Sequence, residues 1–195
     1  VDVRRSTEFT KAMADAYDAV IVATGAKEAL PPIPGLAQHG VGAWELLRND
    51  QLILGGNVLV VGGGMVGCEV CEHLLHNKRG PLYLTMIEMT DEIAAGMVVN
   101  EKVLLMDRLQ KEHVQLMTGT KLLSVDEHTV VMEVHGEQIT RHDFTHVVYA
   151  TGSRSDTALA QELSDMEQVS VVGDAASVAQ ALEAVRDATL AAMAI

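Results

Sequence analysis

The stretch Val58–Leu74, "VLVVGGGMVGCEVCEHL", decides how the rest of the chain is read. Its first half is an apolar, β-branched run closed by three glycines, the pattern of a strand buried on both faces. Its second half has helical spacing and carries a C-x-x-C pair, Cys68 and Cys71. Gly62-Gly63-Gly64-Met65-Val66-Gly67 fits G-x-G-x-x-G directly after the strand and at the opening of the helix. In that arrangement Gly62 allows the tight turn, Gly64 lets a pyrophosphate approach the backbone, and Gly67 lets helix and strand pack closely. The unpaired N–H groups and positive dipole end of a Met65–Asn77 helix then face the phosphates.

Just downstream, "LYLTMIEM" (Leu82–Met89) reads as a second strand and completes a βαβ unit. Glu88 at its end stands where a carboxylate accepts hydrogen bonds from a ribose diol. It follows Gly62 by 26 residues. The polar loop "HNKRGP" accounts for the excess over the usual spacing of about 20. A 2′-phosphate would repel Glu88 and call for a nearby Arg or Lys. Met89–Asn100 contains neither, so NADH is expected over NADPH.

The cysteine pair has two readings, a redox dithiol or small residues packed on a sheet. Three residues apart on a helix, the two side chains lie about 60° apart on one face, the face that Gly67 shares. Packing is the expectation, because the pair follows the glycine turn and lies beneath it. Around the helix His73 lies about 140° from Cys68 and His76 about 140° from Cys71, so the four groups do not converge and no metal site is expected.

Further out, "DAVIVATG" (Asp18–Gly25), "THVVYATG" (Thr145–Gly152) and "QVSVVGDA" (Gln168–Ala175) repeat the buried-strand pattern. Pro31, Pro32 and Pro34 predict a stiff, extended connector. Asn100–Val114 predicts a helix. The segments "QLMTGTKLLSV", "TVVMEVHGEQITRHD" and "FTHVVYATG" predict a small antiparallel meander turning at His135-Gly136. The last residues predict one alanine-rich helix capped at Ser177. The echo of "VIVATG" in "VVYATG" divides the chain. Residues 52–148 are read as a nucleotide-binding domain inserted into a second domain made of 1–51 and 149–195. The fold class is therefore α/β, a Rossmann-like parallel sheet with a glycine-rich βαβ and a small antiparallel meander, inserted in part of a second domain, which the family resemblance given below makes an FAD-type dinucleotide domain.

The bulk numbers narrow the function classes. The chain has 195 residues, of which 48% are hydrophobic and 3% aromatic, so a real core can be buried. A net charge of −13 argues against a general nucleic-acid binder, which needs a basic face. No apolar run approaches the ~20 residues that span a membrane. Two cysteines and no visible signal peptide point to a reducing cytoplasm. The chain opens without Met on a strand-like "VDVRRST" that lacks a visible partner, so a fragment of a longer protein is expected.

Together, "DAVIVATGAKEALPPIPG", "VLVVGGGMVGCEVCEHL", "MIEMTDEIAAGM", "VVYATGSRSD" and "VVGDAASVAQALEAVRDA" resemble the C-terminal FAD/NAD module of the Old Yellow Enzyme-related NADH:flavin oxidoreductases. These include 2,4-dienoyl-CoA reductase, 2-enoate reductase and trimethylamine dehydrogenase. "EMTDEIAAGM" and the closing "LEAVRDA" are the most group-specific pieces. The resemblance implies that Ala23, Thr24 and Gly25 pass close to FAD and that Gly173 and Asp174 approach its ribityl and phosphate region. It implies that Gly62, Gly63, Gly64, Met65, Val66, Gly67 and Glu88 hold NADH, with Gly152 bordering that site. No catalytic side chain is assigned, since hydride transfer between nicotinamide and flavin depends chiefly on geometry. In the family an FMN barrel and an iron–sulfur cluster precede this module, so the fragment alone is expected to be inactive. Two alternatives stay open: a flavoprotein disulfide reductase, which needs a dithiol at the flavin, and a non-catalytic ADP-binding module of the amine dehydrogenase type.

Overall fold

The β-branched runs form parallel strands, and the lack of alternation within 58–61, 84–87 and 147–148 has a simple cause: successive side chains enter two different apolar layers. In the computed structural model, which describes residues 1–195, the chain divides into two units. One comprises Val1–Lys27 and Ser153–Ile195, and the other Glu28–Gly152. The chain starts in the first with α1 (Lys11–Ala14) and β1 (Val20–Val22) and crosses at β2 (Ala26–Glu28). The second unit runs through α2 (Leu36–His39), β3 (Gly40–Gly42), α3 (Ala43–Arg48), β4 (Gly56–Val61), α4 (Met65–Asn77), β5 (Leu82–Ile87) and α5 (Val99–Lys111). It continues with β6 (Gln115–Met117), β7 (Thr120–Val125), β8 (Val130–Val134), β9 (Glu137–Arg141) and β10 (His146–Tyr149). The return consists of β11 (Ser153–Ser155), α6 (Ala158–Glu162), β12 (Val169–Val171), a 3₁₀ turn at Gly173–Ala175 and α7 (Ala181–Met193).

The second unit is built on a five-stranded sheet in the order β3-β10-β4-β5-β6, with every neighbouring pair parallel. Two helical crossovers carry the chain from β4 to β5 to β6 on one side. The chain then returns as β10 on the other side of β4, so the order reverses between β4 and β10. Ligands of open parallel sheets bind outside the carboxyl ends of the strands at such a reversal. Val58, Val60, Leu84, Met86 and Val148 face a helical layer with Leu46, Cys68, Val70, Cys71, Leu74, Leu105 and Leu109. Leu59, Val61, Ile87 and Val147 face the other way, onto Leu122, Val125, Val130 and Met132 of the antiparallel strands.

Three sequence expectations are corrected here. The antiparallel sheet is β7-β8-β9 alone, whereas Gln115–Met117 and His146–Tyr149 join the parallel sheet as β6 and β10. The hairpin does turn at His135-Gly136, both with positive φ (47° and 90°), as a two-residue turn of matching twist requires. Residues 28–51 belong with the second unit rather than with 1–27. The boundaries therefore fall at 27/28 and 152/153 instead of 51/52 and 148/149. The cause is pairing: β3 adds to β10, Leu46 joins the helical layer, and Glu28 accepts the Trp44 N–H at 3.0 Å. Finally, α7 begins at Ala181 with Gln180 at its N-cap, not at Ser177.

In the first unit β1 and β12 form a parallel pair over a small core of Ala14, Val22 and Leu163, with Phe9, Leu159 and Met166 packed against it. β2 and β11 form a two-stranded ribbon. The two A-T-G segments are laced in the same pattern. Thr24 Oγ1 donates to the Asp156 carbonyl (2.8 Å), whose own N–H donates to Gly25 O (2.9 Å). Thr151 Oγ1 donates to the Ala29 carbonyl (2.8 Å), whose N–H donates to Gly152 O (2.9 Å). No helix is long and apolar enough to cross a membrane.

Candidate functional site

β4 delivers the chain to Gly62 at the carboxyl end of the sheet, on the β10 side of the strand reversal. Gly62 has φ +106°, which an L side chain rarely adopts, and a Cβ there would collide with the Ala150 carbonyl that follows β10. A Cβ on Gly67 would collide with the Gly62 carbonyl oxygen, so helix and strand meet at backbone distance. Gly64 is different: it is exposed, and an added Cβ would find nothing within 4 Å. Gly64 is the N-cap of α4, and no side chain caps the helix. The first-turn N–H groups of Met65, Val66 and Gly67 therefore have no side-chain acceptor and open toward the space above Gly64. Met65 is 43% exposed there.

Glu88, the first residue after β5, reaches back to this turn. Its Oε2 accepts the Gly63 N–H at 2.8 Å. Its Oε1 accepts both the N–H and the hydroxyl of Thr90, at 2.9 and 3.0 Å. Burial alone would raise the Glu88 pKa. The hydrogen bonds from Thr90, Gly63 and Met89 outweigh it and hold the carboxyl below its usual range. Gly63 is gripped from its other side as well, because its carbonyl accepts the Ala94 N–H at 2.7 Å. Ala94 is fully buried with φ +52°, and Ile93 covers Gly63 closely enough that a Cβ would lie 2.5 Å from its Cδ1. The segment Glu88–Ala94 thus braces the glycine turn. Sequence reading found Glu88 but not Thr90 or Ala94. The cue for Thr90 is its place two residues beyond the acid; the Ala94 conformation leaves no mark in the sequence.

The structure gathers the remaining candidates into two groups, one in each unit. Gly62, Gly63, Gly64, Met65, Val66, Gly67 and Glu88 lie together in the second, with Gly152 just beyond β10. Ala23, Thr24 and Gly25 follow β1, and Gly173 and Asp174 follow β12. The parallel pairing of β1 with β12 puts these five at one end of that small sheet. An added Cβ at Gly25 meets nothing within 4 Å, which leaves room for a ligand at that turn. Asp174 is turned to its own backbone, accepting the Ala179 N–H at 3.2 Å.

Cys68 and Cys71 are free, 1% and 0% exposed, on the sheet-facing side of α4. Burial pushes the Cys68 thiol up to about 11 and the Cys71 thiol higher still, so neither is a thiolate near neutral pH. No group of three or more His, Cys, Asp or Glu side chains is arranged to hold a metal ion.

With this geometry in view, comparison with known proteins gives the family. Residues 2–171 match the pyridine nucleotide-disulphide oxidoreductase family, and the chain belongs to it. It is 36% identical over 178 residues, 89% of its length, to the bilirubin reductase of Mediterraneibacter gnavus. It is 32% identical over 177 residues, 86% of its length, to the NADH oxidase of Thermoanaerobacter brockii. The chain spans 27% and 26% of those two proteins. Among solved structures, a 2-naphthoyl-CoA reductase complex superposes with a TM-score of 0.82 at 24% identity, over 97% of this chain and 29% of that one. That likeness carries the fold: a mixed α/β, dinucleotide-binding type of architecture.

Proposed function

We propose that this member of the pyridine nucleotide-disulphide oxidoreductase family is the NADH-binding portion, with flanking FAD-domain segments, of a multidomain flavin-dependent oxidoreductase. Residues 28–152 hold NADH, and residues 1–27 and 153–195 contribute to an FAD site. In the whole protein the bound cofactors would supply the redox chemistry: NADH the hydride, FAD its acceptor, and an iron–sulfur cluster and FMN the means of reducing an enoate- or enoyl-type alkene. A reductase and an NADH oxidase among the relatives support the redox part of this reading. The alkene substrate, the FMN barrel and the cluster rest on the sequence resemblance. The two buried cysteines are in no position to ligate a cluster or to serve as an exchanging dithiol.

The observation that carries the proposal is the uncapped α4 N-terminus over the open face of Gly64, with the Glu88 carboxylate held beside it. The N–H groups of Met65, Val66 and Gly67 bind the pyrophosphate, and the absent Gly64 side chain lets it approach. Glu88 accepts from an adenosine ribose hydroxyl with the one Oε2 lone pair that Gly63 leaves free, both lone pairs of Oε1 being taken by Thr90. At the other group, Ala23, Thr24, Gly25, Gly173 and Asp174 line the approach of FAD. These residues bind and orient; none moves a proton, and the rate comes from holding two rings in register.

Titrating NADH, NADPH and ADP into the purified chain tests this reading. Tighter binding of NADH than of NADPH is the expected result. ADP binding without NADH affinity would replace it with the structural, non-catalytic module. Replacing Glu88 with Ala should weaken NADH by about tenfold, the scale of a lost charge-assisted hydrogen bond.

A further inference from the structure

The segment Glu88–Ala94 carries more hydrogen bonds than a ribose-binding acid needs. Glu88 is a single carboxylate on a loop, yet both its oxygens are committed: Oε2 to Gly63 and Oε1 twice to Thr90. A carboxylate left to itself on a loop would sample several rotamers, and each would place its charge differently relative to a bound ribose. Here the Thr90 N–H and hydroxyl converge on one oxygen and leave the other aimed at the glycine turn. Thr90 is exposed, and its carbonyl is anchored by the Gly119 N–H at 2.9 Å; its one hydroxyl proton has two acceptors in reach, the Glu88 Oε1 at 3.0 Å and the Glu92 carbonyl at 3.3 Å, of which Glu88 is the nearer.

We propose that Thr90 is a positioning residue that fixes the Glu88 carboxylate against the Gly63 N–H and thereby sets how strongly the site prefers an unphosphorylated ribose. The inference rests on the NADH reading given above and adds the residue that tunes its specificity. Discrimination against a 2′-phosphate comes from a fixed negative charge at a short distance. A carboxylate free to swing aside relieves the repulsion and also loses its bond to the ribose hydroxyl. Removing the Thr90 hydroxyl therefore weakens NADH and strengthens NADPH relative to it. Serine, which keeps the hydroxyl and the backbone N–H, restores both. The low Glu88 pKa agrees with this arrangement, since the Thr90 hydroxyl is one of the groups that depress it.

The test compares Thr90→Val and Thr90→Ser with the native chain. It reads dissociation constants for NADH and NADPH by fluorescence and the Glu88 carboxyl titration by carbon-detected NMR in the ligand-free chain. Thr90→Val should weaken NADH by about fivefold and shrink the NADH-to-NADPH preference by a similar factor, while Thr90→Ser stays near native; the scale is one hydrogen bond to a charged acceptor at an exposed site. The Glu88 titration should move to higher pH in Thr90→Val only. A native chain that prefers NADH, with Thr90→Val matching it in both constants and in the Glu88 titration, overturns the role of Thr90 and leaves the NADH reading standing. A native chain that binds neither dinucleotide overturns both.

Discussion

The turn after β4 and the A-T-G after β1 both close a parallel strand with glycine, yet they are braced in different ways. The β4 turn is held by its near neighbours in sequence: Gly67 packs on Gly62, and Glu88 and Ala94 grip the two sides of the Gly63 peptide. The A-T-G after β1 is held by Asp156, 132 residues further along the chain. One site is assembled chiefly between β4 and Ala94, with the Ala150 carbonyl closing on Gly62, while the other exists only after the chain has left and returned. A local site tolerates distant change and is broken by its own residues. A long-range site depends on every step that brings its ends together.

The sharpest way to break the first bracing is Gly67→Ala. Its Cβ would collide with backbone, which cannot yield as a side chain would. Loss of about 3 kcal/mol in urea unfolding is expected, with NADH binding lost as well. Gly64→Ala separates fold from function at the same turn. It meets no neighbour and has an ordinary φ of −71°, so stability should stay within about 0.5 kcal/mol. The new methyl stands where the pyrophosphate approaches, so calorimetry should show NADH weakened by about tenfold or more. Native-like affinity in Gly64→Ala would mean that the phosphates do not lie over α4.

The two A-T-G crossings allow a finer comparison. Thr24→Val and Thr151→Val each remove one hydroxyl donor to a carbonyl, at equal distances of 2.8 Å. Each should cost about 1 kcal/mol in denaturant unfolding, and the two values should agree. A large inequality would show that the matched hydrogen bonds do unequal work. The smallest expected effect concerns the cysteines. Iodoacetamide at pH 8 should leave Cys68 and Cys71 unmodified in the native chain and label both after unfolding, as mass spectrometry would show. Their raised pKa keeps them protonated until the pH approaches about 11 for Cys68, and burial blocks access below that. Fast native labelling would revive the dithiol alternative.

Much of this architecture was legible because apolar runs and glycine turns are local signals. β4, α4 and β5 follow from the pattern between Val58 and Met89, and the hairpin follows from His135-Gly136. The strand β3 was not legible. Gly40-Val41-Gly42 is three residues long and glycine-rich, and it becomes a strand only because β10 offers it a parallel edge. That pairing also moves residues 28–51 into the second unit. The sequence of β10 fits both a buried strand and the end of a meander, and only its two parallel neighbours decide between these. At the candidate site Glu88 was visible from its spacing, whereas Ala94 acts through a left-handed backbone and a buried position that composition does not encode.

By itself, then, the sequence determined the βαβ unit, its glycine turn, the acid at the end of the next strand and the burial of the cysteine pair. Each of these depends on residue type and on spacings shorter than a few dozen positions. The tertiary structure alone decided where the two units divide, which strand edges pair, and how Thr90 and Ala94 hold the turn. Those outcomes depend on hydrogen bonds and van der Waals contacts between segments whose order along the chain says nothing of their distance in space.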